Sequence, residues 1–346
     1  MAKNILVTGG TGYIGSHTVV ELQQNGFEVV IIDSLINSSQ KIIELIARIS
    51  GKKPLFEKID MTDKDSLVDF FQRHRDIEGV IHFAAFKAVG ESVEKPLKYY
   101  HNNLVSLINL LECMSGMEAN ARLVFSSSCT VYGEPDQLPL TEHAPVKKAM
   151  SPYGNTKRIS EEMIEDVTSK TAMQAISLRY FNPIGAHESA LLGELPLGVP
   201  NNLVPFITQT AIGLRDQLKV FGNDYNTPDG TCIRDYIHVS DLARAHVFAL
   251  KRMLDHQNDE PYEVFNLGTG KGYSVLEAIK SFEKTSGVAL KWAFDKRRPG
   301  DIEQIWADTT LANIKLGWKA EKGLDEMMDS AWRWEQNLAA GIWKAL

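Results

Sequence analysis

Asn4-Ile5-Leu6-Val7-Thr8-Gly9-Gly10-Thr11-Gly12-Tyr13-Ile14-Gly15 joins a β-branched apolar run to a glycine-rich turn and then to a helical pattern. Glycines at such a turn let the backbone bend tightly, and the N-terminus of the following helix presents free N–H groups and a positive dipole end. A glycine pattern alone is weak evidence. At the start of a strand-turn-helix unit it predicts a dinucleotide-binding turn, with Gly9, Gly12 and Gly15 against a pyrophosphate. Outward from it the pattern repeats. Val29-Val30-Ile31-Ile32, Leu55-Phe56-Glu57-Lys58-Ile59, Val80-Ile81-His82-Phe83, Leu123-Val124-Phe125 and Ala175-Ile176-Ser177-Leu178 are nearly continuous apolar runs. Such runs are covered on both faces, as in parallel sheets. Helical segments are predicted near 13–25, 63–75, 97–116 and 152–170. The fold class is therefore α/β, a doubly wound parallel sheet of Rossmann type over 1–180. A smaller α/β substrate-binding lobe is expected over 181–346, where Gly193, Pro196, Gly198 and Pro200 change the texture. The strand-like Tyr236-Ile237-His238-Val239 is a candidate to return to the first domain.

Composition narrows the function. Of 346 residues 44% are hydrophobic, enough for a large core, and the net charge of -7 argues against a general nucleic-acid or membrane-surface binder. Cys113, Cys129 and Cys232 form no CxxC pair, so neither a metal site nor a redox dithiol is readable. Sparse cysteines fit a reducing cytosol. Met1-Ala2-Lys3 runs straight into the first strand, which leaves no room for a signal peptide. No apolar run is long enough for a membrane span. A cytoplasmic location is expected.

Asp33 ends the second run, about 20 residues beyond the turn, where an acid hydrogen-bonds the adenosine ribose and repels a 2′-phosphate. Ser34-Leu35-Ile36-Asn37 follows without an Arg, so NAD is favoured over NADP. Asp60 ends the third run, within reach of an adenine amino group. Tyr153 and Lys157 share a helix face at i,i+4. A Lys ammonium about 6 Å from a phenol contributes about 3 kcal/mol, or about two pKa units, and so predicts a phenolate able to act as a base near neutral pH. Ser126, Ser127 and Ser128 precede this pair by one βα step. Ser128 and Thr130 can share a substrate proton, although spacing does not decide which serine acts. The apolar stripes Leu97, Tyr100, Leu104, Leu107, Ile108, Leu111 and Met163, Ile164, Val167 pack on the sheet or form a helix-bundle dimer interface.

The glycine turn, the Ser-Ser-Ser-x-Thr-Val-Tyr-Gly stretch at 126–133 and Ser-Pro-Tyr-Gly-Asn-Thr-Lys at 151–157 resemble the extended short-chain dehydrogenase/reductases. Residues 81–92, 179–183, 200–203, 221–225 and 229–239 extend the likeness to nearly the whole chain and narrow it to the UDP-glucose 4-epimerase family. The resemblance implies that Tyr153 deprotonates the sugar 4-hydroxyl while NAD takes hydride from C4. The 4-keto sugar then turns over with its UDP anchored. It implies a reversible UDP-glucose/UDP-galactose isomerase acting as a homodimer, with Tyr153, Lys157 and Ser128 catalytic. Tyr13, Ile14, Asn37, Met61, Phe83, Ala84, Ala85, Lys87, Asn102, Ser126, Tyr180 and Phe181 would line the cofactor beside Tyr153 and Lys157. Asn182, Asn202, Arg234 and Arg298 would hold the diphosphate, the two arginines as fixed forks. Leu203, Lys219, Phe221 and Asp301 would line the uridine, with Ser128, Thr130 and Tyr153 at the sugar.

The chain departs from the family pattern at Cys129, at Pro299 and at Ile305. Narrow-specificity members carry a Tyr at the last position, which crowds the sugar C2 substituent. Ile305 therefore points to acceptance of UDP-GlcNAc and UDP-GalNAc. A related 4,6-dehydratase or decarboxylase would need a carboxylate just after Ser128, where Cys129-Thr130-Val131 offers none. A non-catalytic NAD(H) sensor would be expected to lose Tyr153 or Lys157.

Overall fold

The computed structural model describes residues 2–117, 121–196, 198–298 and 301–343, so Pro299 lies outside the described residues. The strands are β1 Asn4–Thr8, β2 Glu28–Asp33, β3 Leu55–Lys58, β4 Ile77–His82, β5 Arg122–Ser128, β6 Gln174–Tyr180, β7 Asn182–Ile184, β8 Leu218–Phe221, β9 Ile233–His238, β10 Tyr262–Leu267, β11 Gly272–Ser274, β12 Trp292–Asp295 and β13 Gln304–Ile305. The helices are α1 Tyr13–Gln24, α2 Lys41–Ser50, α3 Lys64–Arg73, α4 Val89–Glu94, α5 Pro96–Tyr100, α6 Ser106–Ser115, α7 Pro152–Thr168, α8 Leu203–Ala211, α9 Val239–Leu254, α10 Val275–Ser286 and α11 Leu324–Ala339.

Seven parallel strands form the main sheet in the order β10-β6-β5-β4-β1-β2-β3. Along β1 and β2, Ile5, Val7, Val29 and Ile31 face one side and Leu6, Val30 and Ile32 the other, and all are buried. The first side is covered by Val19 of α1, Ile46 of α2 and Leu242 of α9. The second is covered by Phe70 of α3, Leu107 of α6 and Ile164 of α7. Each fully buried Val, Leu or Ile contributes about 1.5–3 kcal/mol, so the double cover explains why these strands read as continuous apolar runs.

One expectation changes. The strand over 236–239 belongs to β9, which pairs with β7, β11 and β13 in a separate small sheet. The strand that joins the main sheet from the later half is β10, delivered by α9. The helix expected near 97–116 is present from Pro96 to Ser115 but carries a π-bulge. A π-helical turn at His101–Val105 separates α5 from α6 and swings Asn103 inward, where its side chain bonds Phe86 and Thr156. The small sheet, the β8–β12 pair and helices α8, α10 and α11 enclose a core of their own around Phe282, Met327 and Trp332. No helix among the described residues is long and apolar enough to cross a membrane.

Candidate active site

Ligands bind open parallel sheets at the carboxyl ends of the strands, and the predicted residues gather there. Gly9 follows β1 with φ +69°, and a Cβ on it would lie 2.8 Å from the Ala84 backbone nitrogen. A Cβ on Gly15 would lie 2.3 Å from the Gly9 carbonyl oxygen. Only glycine fits either place. Gly12 opens α1 with no side-chain cap, and no acid sits in the first turn. The orphan N–H groups of Tyr13, Ile14 and Gly15 are thus available to an anion. The residues fit a dinucleotide at this turn.

Asp33 is buried at the end of β2. Its carboxylate accepts from the Thr11 N–H at 3.2 Å and hydroxyl at 2.6 Å, and from Leu35 N–H at 2.9 Å. With the Ser38 hydroxyl, which donates at 3.2 Å, those bonds lock the carboxylate beside the turn, and a ribose hydroxyl would take the place of one of the two side-chain hydroxyl donors. Asp60 is exposed past β3 and accepts from the Thr62 N–H at 2.9 Å and hydroxyl at 2.8 Å. Met61 is buried under it and Asn37 is exposed. Phe83, Ala84 and Ala85 are partly buried after β4, where Phe83 and Ala84 donate their N–H groups to Thr8. Asn102 donates to Asn103 at 3.0 Å.

The reactive pair sits on α7, whose first turn Ser151 caps through Gly154 N–H and whose N1 is Pro152. Lys157 is buried and donates to the Ser126 carbonyl at 2.5 Å. Its Nζ lies 6.0 Å from the Tyr153 ring centre and 4.8 Å from the Phe125 ring. Burial pushes the Tyr153 phenol up to about 12, Cys129 adds to the rise, and a hydrogen bond with Ser128 opposes it. Burial also brings Lys157 down to about 7 against the pull of Glu161. Desolvation outweighs the lysine charge, because the same burial that brings the two groups together also disfavours the charged form of each. Ser128 accepts from the Thr130 hydroxyl at 3.0 Å. Tyr180 does not offer its hydroxyl to the cleft, because that group is bonded to His246.

On the opposing side, Arg234 of β9 donates to the Ile233 carbonyl at 2.9 Å and lies 3.8 Å from Asp301. Arg298 bonds Asp301 at 3.1 Å and 3.3 Å and stacks 5.3 Å over the Phe221 ring. Asp301 therefore gathers both guanidiniums. Lys219 is exposed and pairs with Asp295 at 2.9 Å. Leu203 opens α8 and packs on the smaller core, and Asn182 lies in register with Tyr236. Ile305 is buried with Cys129, Phe181, Val131 and Leu140 in one apolar cluster, which places it beside the Ser128 segment.

Sequence reasoning missed three buried polar groups and a fourth that is half-buried, Glu194. Asn103 ties the Phe86 backbone to Thr156. Glu161 forks Arg179 at 2.6 and 3.0 Å and accepts from Ser127 at 2.5 Å, directly behind Lys157. Asp235 collects four donors, from Thr269, Gly270 and Ala307. Glu194 accepts from Lys87 at 3.0 Å and Asn202 at 2.6 Å. Only Glu161 left a signal, one helical turn beyond Lys157 on the same face.

A family model described as GDP-mannose 4,6 dehydratase matches residues 6–331. The UDP-glucose 4-epimerase of Bacillus subtilis (strain 168) is 50% identical over 338 residues, covering 97% of this chain and 98% of that one. The chain belongs to the UDP-glucose 4-epimerase family. Among solved structures, the family member from Stenotrophomonas maltophila, with bound NAD and formylated UDP-arabinopyranose, superposes with a TM-score of 0.94 at 48% identity, covering 98% of this chain and 99% of that one. The UDP-Glc/GlcNAc 4-epimerase of Campylobacter jejuni reaches 0.83 at 35% identity, over 97% and 100%. Within the broader dehydratase-like group, Cys129 supplies no carboxylate after Ser128, in keeping with the epimerase branch.

Proposed function

We propose that this chain interconverts UDP-glucose and UDP-galactose at C4 by transient oxidation with a resident NAD. The observation that carries this is the placement of half-buried Tyr153 and buried Lys157 on one face of α7, at the same strand ends as an uncapped helix N-terminus shaped for a pyrophosphate. NAD supplies the hydride acceptor and donor and, when oxidised, a positive ring that favours the phenolate. Gly9, Gly12, Gly15 and the α1 amides would hold its pyrophosphate, and Asp33 its ribose. Tyr153 takes the proton of the 4-hydroxyl and returns it to the 4-keto oxygen, while Ser128 holds that oxygen through its hydroxyl. Lys157 lowers the cost of the phenolate. Arg234 and Arg298 leave Asp301 for the diphosphate, which accepts the same forked donors.

The test is conversion of UDP-galactose by purified protein without added NAD, followed by chromatography. Conversion is expected. No conversion with or without NAD overturns the reading. Ile305 in the wall beside Phe181 supports acceptance of UDP-N-acetylhexosamines, and UDP-GlcNAc in the same assay checks it. The outer faces of α4, α5 and α6 leave Val93, Leu97 and Ile108 exposed, Leu97 at 80%, which supports a homodimer through this face. Three free cysteines support a reducing cytosol.

A further inference from the structure

Glu161 lies on α7 one helical turn beyond Lys157, so the two side chains share one helix face with Cβ atoms about 6 Å apart. Both are buried. The Lys157 ammonium donates to the Ser126 carbonyl at 2.5 Å and sits 4.8 Å from the Phe125 ring centre and 6.0 Å from that of Tyr153. The titratable and charged groups gathered here are His82 of β4, Tyr99 of α5, Tyr153 and Glu161 of α7, and Arg179 and Tyr180 of β6. His82 is neutral, brought down to about 3 by burial, with the Lys157 charge acting in the same sense. Burial keeps the three tyrosines protonated. Of these groups Glu161 is the one anion, and it opposes the burial that brings Lys157 down to about 7. The carboxylate is fixed in place. Its Oε1 accepts from Ser127 Oγ at 2.5 Å and from Arg179 Nε at 3.0 Å, and its Oε2 from Arg179 Nη2 at 2.6 Å. Arg179 also donates to the Tyr132 hydroxyl at 2.8 Å. Ser127 stands between Ser126, which receives Lys157, and Ser128, which bonds Tyr153. An ion pair that only tied α7 to β6 could sit at any turn of the helix. This one sits on the turn behind the ammonium, and on the serine between the two that meet the reacting pair.

We propose that Glu161 is a positioning residue that acts through Lys157, its fixed negative charge keeping the ammonium in place beside Tyr153 while the substrate proton moves. The inference deepens the epimerase reading and rests on it. Lys157 lowers the cost of a phenolate only while it carries its own proton. In the buried site water does little to hold that proton, and a carboxylate one turn back takes over the task. Ser127 Oγ and Arg179 keep the carboxylate ionised and aimed. Arg179 offsets part of its field, so the net effect at Lys157 is smaller than that of a bare anion.

The experiment titrates Lys157 directly. Protein carrying side-chain nitrogen-labelled lysine is followed by NMR as pH rises, with the Lys157 signal assigned by its loss in Lys157→Met. Wild type is compared with Glu161→Gln and Glu161→Asp, and kcat for UDP-galactose is measured over the same pH range. In Glu161→Gln, Lys157 should lose its proton about one pH unit lower than in wild type. The alkaline fall of kcat should move with it, leaving kcat on that limb about tenfold below wild type. Glu161→Asp keeps the charge and should bring both back toward wild type. If Glu161→Gln does not fold, its combination with Arg179→Met leaves no unpaired buried charge and carries the same test, with a shift in the same direction. A Lys157 titration unmoved in the carboxylate-free variant overturns the proposal. A kcat that drops equally at all pH values does so too, leaving Glu161 as a core ion pair and the epimerase reading intact. Failure of the wild type to convert UDP-galactose overturns that reading instead, and the proposal with it.

Discussion

The glycine turn and the Asp301 cluster face one cleft and prepare for phosphate in opposite ways. The turn uses backbone. Gly9 and Gly15 leave no room for a side chain, and the orphan N–H groups of α1 point outward before any ligand arrives. The cluster uses side chains. Arg234 and Arg298 are already occupied by Asp301, and Lys219 by Asp295. A rigid cradle binds without reorganising, whereas a paired cluster must exchange one anion for another. The first arrangement suits a cofactor that stays, and the second a substrate that must leave.

The largest effect should come between the two, at the reacting pair. Tyr153→Phe removes the only atom that carries the proton and should lower kcat by about 10³-fold or more, with UDP affinity within about twofold of wild type. A variant that kept a tenth of the activity would move the proton to another group. Next is the cradle. In Gly15→Ala the new Cβ would need the Gly9 carbonyl to shift, which should cost about 2–3 kcal/mol of stability and release the retained NAD. Absorbance and mass spectrometry of the purified protein would show whether cofactor remains. A variant still loaded with NAD would break the contrast between rigid cradle and exchanging cluster.

Burial governs the sheet side, and this gives it a pH signature. His17 is brought down to about 4, and His82 and His246 to about 3, all chiefly by desolvation. Their folded values lie below the unfolded value near 6.5, so the unfolded chain binds more protons as pH falls. Stability is fully present above about pH 6.5 and declines below it, by about 1.4 kcal/mol per pH unit for each histidine until its folded value is reached. Tm should be flat on account of these groups from pH 7 to 8 and should drop from pH 6.5 to 5.5. A Tm unchanged over that last interval would mean that the rings take protons without opening the fold.

The same division explains what could be read from the sequence. Five of the first six strands of the main sheet announce themselves because both faces are apolar, whereas β3 is the sheet edge and stands partly exposed, Leu55 included. The seventh, β10, reads Tyr262-Glu263-Val264-Phe265-Asn266-Leu267 and hides its burial behind polar letters. Glu263 is paired with Arg252, and Asn266 bonds Tyr132 and the Leu140 carbonyl. Partners made by tertiary structure cancel a polarity that a single segment cannot show cancelled. Tyr236-Ile237 misled in the reverse sense, since an apolar strand fits a small sheet as well as a large one. In the site, residues tied to a local motif were legible, namely Gly9, Asp33, Tyr153 and Lys157. Asp235 and Glu194 were not, because each takes its meaning from donors far away in the chain. Tyr153 and Lys157 illustrate the same limit. Spacing gives their distance, but only the fold gives their burial.

The smallest effects sharpen the cluster itself. The Arg234 side chain is 17% exposed and Arg298 55%, so the two guanidiniums that share Asp301 differ in how much water screens them. Arg234→Gln should weaken UDP binding by about 2 kcal/mol, or about 30-fold, with little salt dependence, because a hydrogen bond to a charged group away from solvent is lost. Arg298→Gln should weaken it by only about threefold, and the difference from wild type should fade in high salt. Calorimetry at low and high salt measures both. Equal losses would mean that Arg298 folds inward on binding and that its exposure belongs to the ligand-free protein alone. The cluster would then close around its ligand, and the contrast with the preformed glycine cradle would be wider than the charges by themselves require.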